Sequence, residues 1–172
     1  MKQNVVLSLF LVGAFSVLLF VSCKNPLTGG TPLSTLDAEK ELKSKFGKDA
    51  FYTNISIIND ATVGTIINTT TTNDPASMKM REWNYLRGAW EQKSEVTLEV
   101  EGGGAEEFMF DLNKDISFSK ISSLAEAAKQ KVVTEKKIEE VIVKMISIIA
   151  PDNRPKSETS IMIIIEPKSG GT

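Results

Sequence analysis

The chain has 172 residues, a formal net charge of -2, 41% hydrophobic and 24% charged residues, which fits one globular domain and excludes wholesale disorder. With 20 Lys and Arg against 22 Asp and Glu, it lacks the basic excess that a general nucleic-acid binder uses to displace counterions. It has no histidine and one cysteine, Cys23. The chain alone therefore cannot supply a Ser-His-Asp or Cys-His mechanism, an intrachain disulfide or a multi-cysteine zinc site.

The first 22 residues read MKQNVVLSLFLVGAFSVLLFVS. Lys2 supplies a positive start, and Val5 to Val21 is apolar except at Ser8, Gly13 and Ser16. That run is long for a signal core and short for a bilayer span. Its end, Phe20-Val21-Ser22-Cys23, places a small residue immediately before the cysteine and resembles the lipobox of bacterial Sec-exported lipoproteins. Phe20 stands where Leu is usual, and Val21 where a small residue is preferred. The resemblance covers residues 1–23 alone. It implies a thioether from Cys23 to diacylglycerol, cleavage before Cys23, and acylation of the new amino group by a fatty acid such as palmitate. An uncleaved anchor helix with a chance cysteine is the alternative. A catalytic thiol lacks a neighbour to depress its pKa. Cleavage would leave 150 residues (172 minus 22) with 19 basic and 22 acidic side chains, a net charge of -3. In a cell with two membranes, Lys24 does not resemble the Asp that commonly retains lipoproteins in the inner membrane. Outer-membrane attachment, facing the periplasm or the surface, is then expected.

Cys23 and residues 24–33 (KNPLTGGTPL) read as lipid anchor and flexible tether, or else as an arm packed on the domain. Ser34 with Asp37 resembles a capping box, Leu33 and Ala38 could staple it, and Ala38, Leu42 and Phe46 form an apolar stripe. This spacing predicts a helix over 35–46, stopped by Gly47. FYTNISIIND and ATVGTIINTTTT switch to β-branched alternation and predict a hairpin turning at 59–62, with Ile55 and Ile57 on one face. The run NTTTTNDPAS reads as a polar loop.

MKMREWNYLRGAW, residues 78–90, reads as one strand with Trp83, Tyr85 and Arg87 on a shared face. Val96, Leu98 and Val100 alternate with polar residues and predict a half-buried strand. Gly102-Gly103-Gly104 marks a turn, without the Lys-Ser/Thr of a phosphate loop. Phe108, Phe110 and Leu112 predict a short strand. Asp111, Asn113 and Asp115 space three oxygen side chains but lack an EF-hand's glycine and closing glutamate, so a turn is expected. Helical spacing from Ile121 to Val132 predicts a helix over 119–133. The apolar runs 137–150 and 157–167 read as strands buried on both faces. IMIII is an aggregation hazard on an open edge, so it is expected to be paired on both sides or covered. Dimerisation through it stays open, and so does the oligomeric state.

The elements predict an α+β domain over 34–167 with a frayed tail at 168–172. It would hold one antiparallel sheet of about six or seven strands, with both helices on one face. Their order is compatible with a diverged α-β-β duplication.

No catalytic residue, metal site or cofactor is expected. The acidic patch Glu99, Glu101, Glu106 and Glu107 could support a carboxylate-only hydrolase only inside a cleft. Arg81, Trp83, Tyr85, Arg87 and Trp90 are the candidate binding residues, because Trp, Tyr and Arg dominate hot spots. The competing reading packs Trp83 and Tyr85 beneath a helix, and exposure separates the two. The expected function is a non-enzymatic envelope lipoprotein. It would be held to the bilayer through Cys23 and present its domain to an envelope protein or peptidoglycan. An inhibitor or immunity-type protein using the PDNRPK or NTTTTNDPAS loop is the alternative.

Overall fold

The computed structural model describes residues 33–100, 104–151 and 159–168. The expected leader over 1–22, Cys23, the expected tether over 24–32, Glu101 with the Gly102-Gly103 turn, most of PDNRPK and residues 169–172 lie outside these. The elements are α1 (Thr35–Phe46), β1 (Phe51–Asp60), β2 (Gly64–Thr72), β3 (Lys79–Leu86), β4 (Ala89–Thr97), β5 (Phe110–Asp111), α2 (Phe118–Lys136), β6 (Val141–Ile149) and β7 (Ser160–Pro167). Short 3-10 turns occupy Pro75–Ser77 and Ala105–Phe108. The fold is α+β. All ladders are antiparallel, in the order β4-β3-β2-β1-β6-β7, with β5 added to β1. The order β2-β1-β6-β7 sets the first strand after each helix side by side at the centre, a topology compatible with a duplicated unit.

Helix α1 begins as its capping pattern predicts. The Asp37 amide donates to Ser34 Oγ at 3.1 Å, and Ser34 Oγ donates to Asp37 Oδ2 at 2.7 Å. The cap and the Lys40 ammonium hold the Asp37 carboxyl below its usual pKa. Leu33 packs against the core, and its amide donates to Thr65 Oγ1 at 2.6 Å. Gly47 ends the helix at φ +87°, a left-handed value that glycine adopts without strain.

A bulge decides which side chains reach the core. In β1, Tyr52 lies opposite Thr71 while Asn54 lies opposite Thr70, so Thr53 is the extra residue. An extra residue inverts the alternation, and this one puts Tyr52 on the same face as Ile55 and Ile57. Opposite them, Thr71, Thr69 and Ile67 are also buried. Ile146 and Ile148 of β6 extend this layer. Leu42 of α1 and Phe118 and Ile121 of α2 cover it, so both helices serve one core.

Two of the buried threonines are satisfied by backbone: Thr69 Oγ1 donates to the Asn54 carbonyl and Thr71 Oγ1 to the Phe51 carbonyl, both at 2.8 Å. The strand predicted over ATVGTIINTTTT runs to Thr72, and the polar loop follows it. The threonine hydroxyls make a core face look polar in sequence.

The Tyr52 hydroxyl is buried beside Thr71 without completing a hydrogen bond. Burial pushes its pKa well above the usual 10. The fold favours the neutral phenol, so this stabilising contribution is complete below pH 10 and is lost as pH rises toward the folded-state value. Tyr52→Phe is expected to change neutral-pH stability by no more than about 1 kcal/mol, since an unpaired hydroxyl is removed. It should also move the alkaline unfolding midpoint upward in a pH-resolved urea titration.

Four expectations are corrected. The strand predicted from Met78 to Trp90 is two strands, because Arg87 and Gly88 take φ +52° and +83° and make a two-residue hairpin turn. β4 ends at Thr97, and the Leu98 amide donates to the Met78 carbonyl at 2.8 Å. Phe108 belongs to a 3-10 turn, leaving β5 with two residues. Among the described residues β7 pairs with β6 alone, so only β6 is central and IMIII lies on an edge.

Candidate functional site

The β3–β4 hairpin and the end of α1 enclose the aromatic residues singled out by sequence. Phe46, at the last turn of α1, is their hub. Its ring centroid lies 5.5 Å from that of Trp83, 4.9 Å from Trp90 and 6.3 Å from Tyr52, each edge-to-face. Tyr85 and Trp90 meet at 5.2 Å. Such pairs add roughly 0.5–1.5 kcal/mol each beyond area burial. Tyr85 is 7% exposed, and burial, followed by the Glu41 charge, raises its pKa. The Trp90 indole nitrogen is buried without a hydrogen-bond partner. Tyr85 is thus a packing residue, as the competing reading has it, and Trp90 is half-buried against Phe46 and Tyr85.

Trp83 is half-buried, in an edge-to-face contact with Phe46. The Lys45 ammonium stands 4.4 Å from its ring centroid, a cation–π contact. Arg81 shares this face, and its Nε donates to Glu95 Oε1 across the hairpin at 3.1 Å, with both side chains exposed. An exposed pair of this kind contributes about 0–1 kcal/mol. Arg87 is exposed in the turn, away from the strand face assigned to it. The five candidate residues therefore divide into packing (Tyr85, Trp90), groove (Arg81, Trp83) and turn (Arg87).

The groove beside Trp83 has a volume of about 470 Å³, and Lys45, Phe46, Thr71, Asp74 and Arg81 help line it. Lys79 and Glu95 also border it, so among the described residues Lys45, Lys79 and Arg81 face Asp74 and Glu95, and of the three cations only Arg81 is a sequence candidate. Lys45 was legible only as a solvated helix residue. Nothing local says that the helix end approaches β3. The arrangement can hold a ligand by an indole edge, a guanidinium and ammonium groups.

A second groove, of about 400 Å³, lies on the opposite sheet face beside Thr70, Met80, Leu98 and Phe108. There the segment after β4 folds back, so that Ala105 and Met109 bury Met80, with Phe51, Val96 and Leu98 around them.

The alternatives for chemistry lie elsewhere. Asp111, 5% exposed, accepts the Asn113 and Lys114 amides at 2.7 Å each, and Asp115 Oδ2 accepts the Asp111 amide at 3.0 Å. These oxygens close a turn, as expected. Glu99, Glu106 and Glu107 are exposed, and Glu101 lies outside the described residues. Among the described residues, no group of three or more acidic or other metal-ligating side chains could hold a metal ion. No helix among them is long and apolar enough to cross a membrane.

No family model matches the chain, and no curated protein matches it. Among solved structures it is similar to a crystal structure described as a "putative lipoprotein" from Clostridium difficile 630. The match has 14% identity and a TM-score of 0.38, covering 84% of this chain and 86% of that one. A superposition that loose occurs between different folds, so neither the fold nor the function of that protein is transferred to this chain.

Proposed function

We propose that the protein is a lipid-anchored bacterial envelope protein whose α+β domain acts as a binding module rather than an enzyme. The observation that carries this reading is Ser22-Cys23 at the end of the apolar run 5–21 behind Lys2. Acylation of Cys23 would add about 0.8 kcal/mol per buried CH₂; one chain gives marginal binding, whereas two or three give a lasting attachment. Residues 24–32 would then space the domain from the bilayer. Anchoring raises the local concentration of the domain, so that a weak contact with an envelope protein or peptidoglycan suffices. In a cell with two membranes, the outer membrane is the proposed site.

Metabolic labelling with a radioactive fatty acid tests the anchor. Label is expected in the wild-type chain and none in Cys23→Ser; equal label in both would overturn it.

The contact is assigned to the Arg81–Trp83 groove, which combines a half-buried indole with Lys45, Lys79 and Arg81, the last paired with Glu95. Lys45→Glu with Arg81→Glu in the full chain is expected to cut capture of the partner by roughly tenfold or more, as for hot-spot residues. Thermal unfolding should stay nearly unchanged, because both residues are exposed. Affinity capture from solubilised membranes and binding to isolated peptidoglycan separate the two partner classes. Unchanged capture in both would remove the groove from the proposal.

A further inference from the structure

The two edges of the sheet are built differently. Along β4, Glu91, Lys93 and Glu95 are exposed. Glu82 lies opposite Ser94 and Trp83 opposite Gln92, so Lys93 is the extra residue of a bulge. Charges and bulges are the devices by which edge strands resist pairing with another chain.

β7 has neither device along its middle. The break in its ladder falls between Val143 and Met145, which puts the extra residue, Lys144, in β6 and leaves β7 regular. Ile161 to Ile165 is an uninterrupted apolar run of five residues. Ile161, Met162 and Ile164 are 41%, 47% and 39% exposed, with side chains on both faces of the sheet. Only Glu166, paired with Lys144 at 3.5 Å, and Pro167 close its end. Among the described residues nothing pairs with the outer backbone of β7.

We propose that β7 is the seam of a two-fold homodimer, in which it pairs antiparallel with β7 of a second copy about an axis at Ile163. The run matches itself in this register. Ile161 meets Ile165, Met162 meets Ile164, and Ser160 meets Glu166, so apolar residues oppose apolar residues and no like charges face each other. Moving the axis one residue, to Ile164, would set Glu166 against Met162. An axis normal to the sheet keeps the helices of both copies on one side. Ile161, Ile163 and Ile165 then join one helix-covered layer, while Met162 and Ile164 join across the open face. The interface is isologous and satisfies backbone groups that otherwise meet only water. This inference is independent of the lipid anchor and of the Trp83 groove.

The test uses the full-length chain in detergent, carrying Cys23→Ser and Ile163→Cys so that position 163 holds its only thiol. A short bismaleimide is expected to give a band at twice the monomer mass. The same thiol moved to the guarded edge, in Gln92→Cys, should give none. Adding Met162→Lys and Ile164→Lys should remove the band while circular dichroism stays unchanged, because both side chains are exposed. Sedimentation equilibrium of the unmodified full chain, in density-matched detergent, gives an answer even where a variant fails to fold, and a concentration-dependent doubling of mass is expected. A persistent monomer, a band that survives the two lysines, or an equal band from Gln92→Cys would each overturn the proposal. So would β7 amide protection conferred only by an unlike peptide.

Discussion

Cys23→Ser is expected to leave the chain at 172 residues rather than 150, without fatty acid, and still associated with membranes. The reason lies in the order of steps that the lipobox resemblance implies. Lipid is attached to the thiol first, and cleavage before residue 23 depends on it. A serine offers no thioether, so residues 1–22 should remain. Their apolar run, residues 5 to 21, would reach roughly 25 Å at the helical rise, against a hydrocarbon core of about 30 Å. That is short for a span but apolar enough to hold the chain. The wild type should partition through acyl chains and the variant through peptide. Intact-mass measurement of the membrane fraction separates them by the 22-residue leader and the missing lipid. A variant cleaved at the same position as wild type would show that lipid does not license cleavage and would defeat the reading.

Phe110→Ala is expected to destabilise the domain by about 3–5 kcal/mol, measured by urea denaturation. That is a large fraction of the roughly 5–15 kcal/mol typical of a domain. Phe110 comes from a two-residue strand, which would ordinarily suggest a dispensable edge. It is nevertheless fully buried and stacks on Tyr52 with centroids 6.0 Å apart. β5 pairs with β1 at Phe51 and Tyr52, just before the bulge that turns Tyr52 inward. Truncating Phe110 leaves a cavity beneath Tyr52 at the sheet's most irregular point, where a regular strand cannot simply close over it. A loss below about 1 kcal/mol would mean that this part of the core collapses freely.

Several elements were legible from local pattern. Ser34, Asp37 and Gly47 announce the limits of α1, since caps and stops act within a few residues. Ile55 and Ile57 announce a half-buried strand, and residues 119–133 announce most of α2. The α+β class followed from the order of such segments. The hairpin turn at Arg87-Gly88 was overlooked because WNYLRGAW keeps its aromatics through the turn. The hairpin strand ATVGTIINTTTT is legible to its end, but not that its threonines face the core, because Thr69 and Thr71 find their carbonyl partners on β1, which are invisible along the chain.

The candidate site was half legible. The residue types Arg81 and Trp83 were visible, but Lys45 enters only because α1 ends above β3. Tyr85 leaves the surface, and Trp90 is half-buried between Phe46 and Tyr85. The same division applies to β7. Five consecutive apolar residues read alike in a central or an edge strand, since composition records what a strand could bury and not which neighbours arrive. The sequence by itself determined the lone thiol at the end of an apolar run, the chemistries that a histidine-free chain cannot supply, and the local periods of helix and strand, because these depend on covalent identity and nearest neighbours. The tertiary structure alone decided that Tyr52 turns inward, that the aromatic cluster closes around Phe46, and that among the described residues β4 is a guarded edge and β7 an unguarded one. Those outcomes depend on strand order, bulge position and packing between residues far apart in the chain.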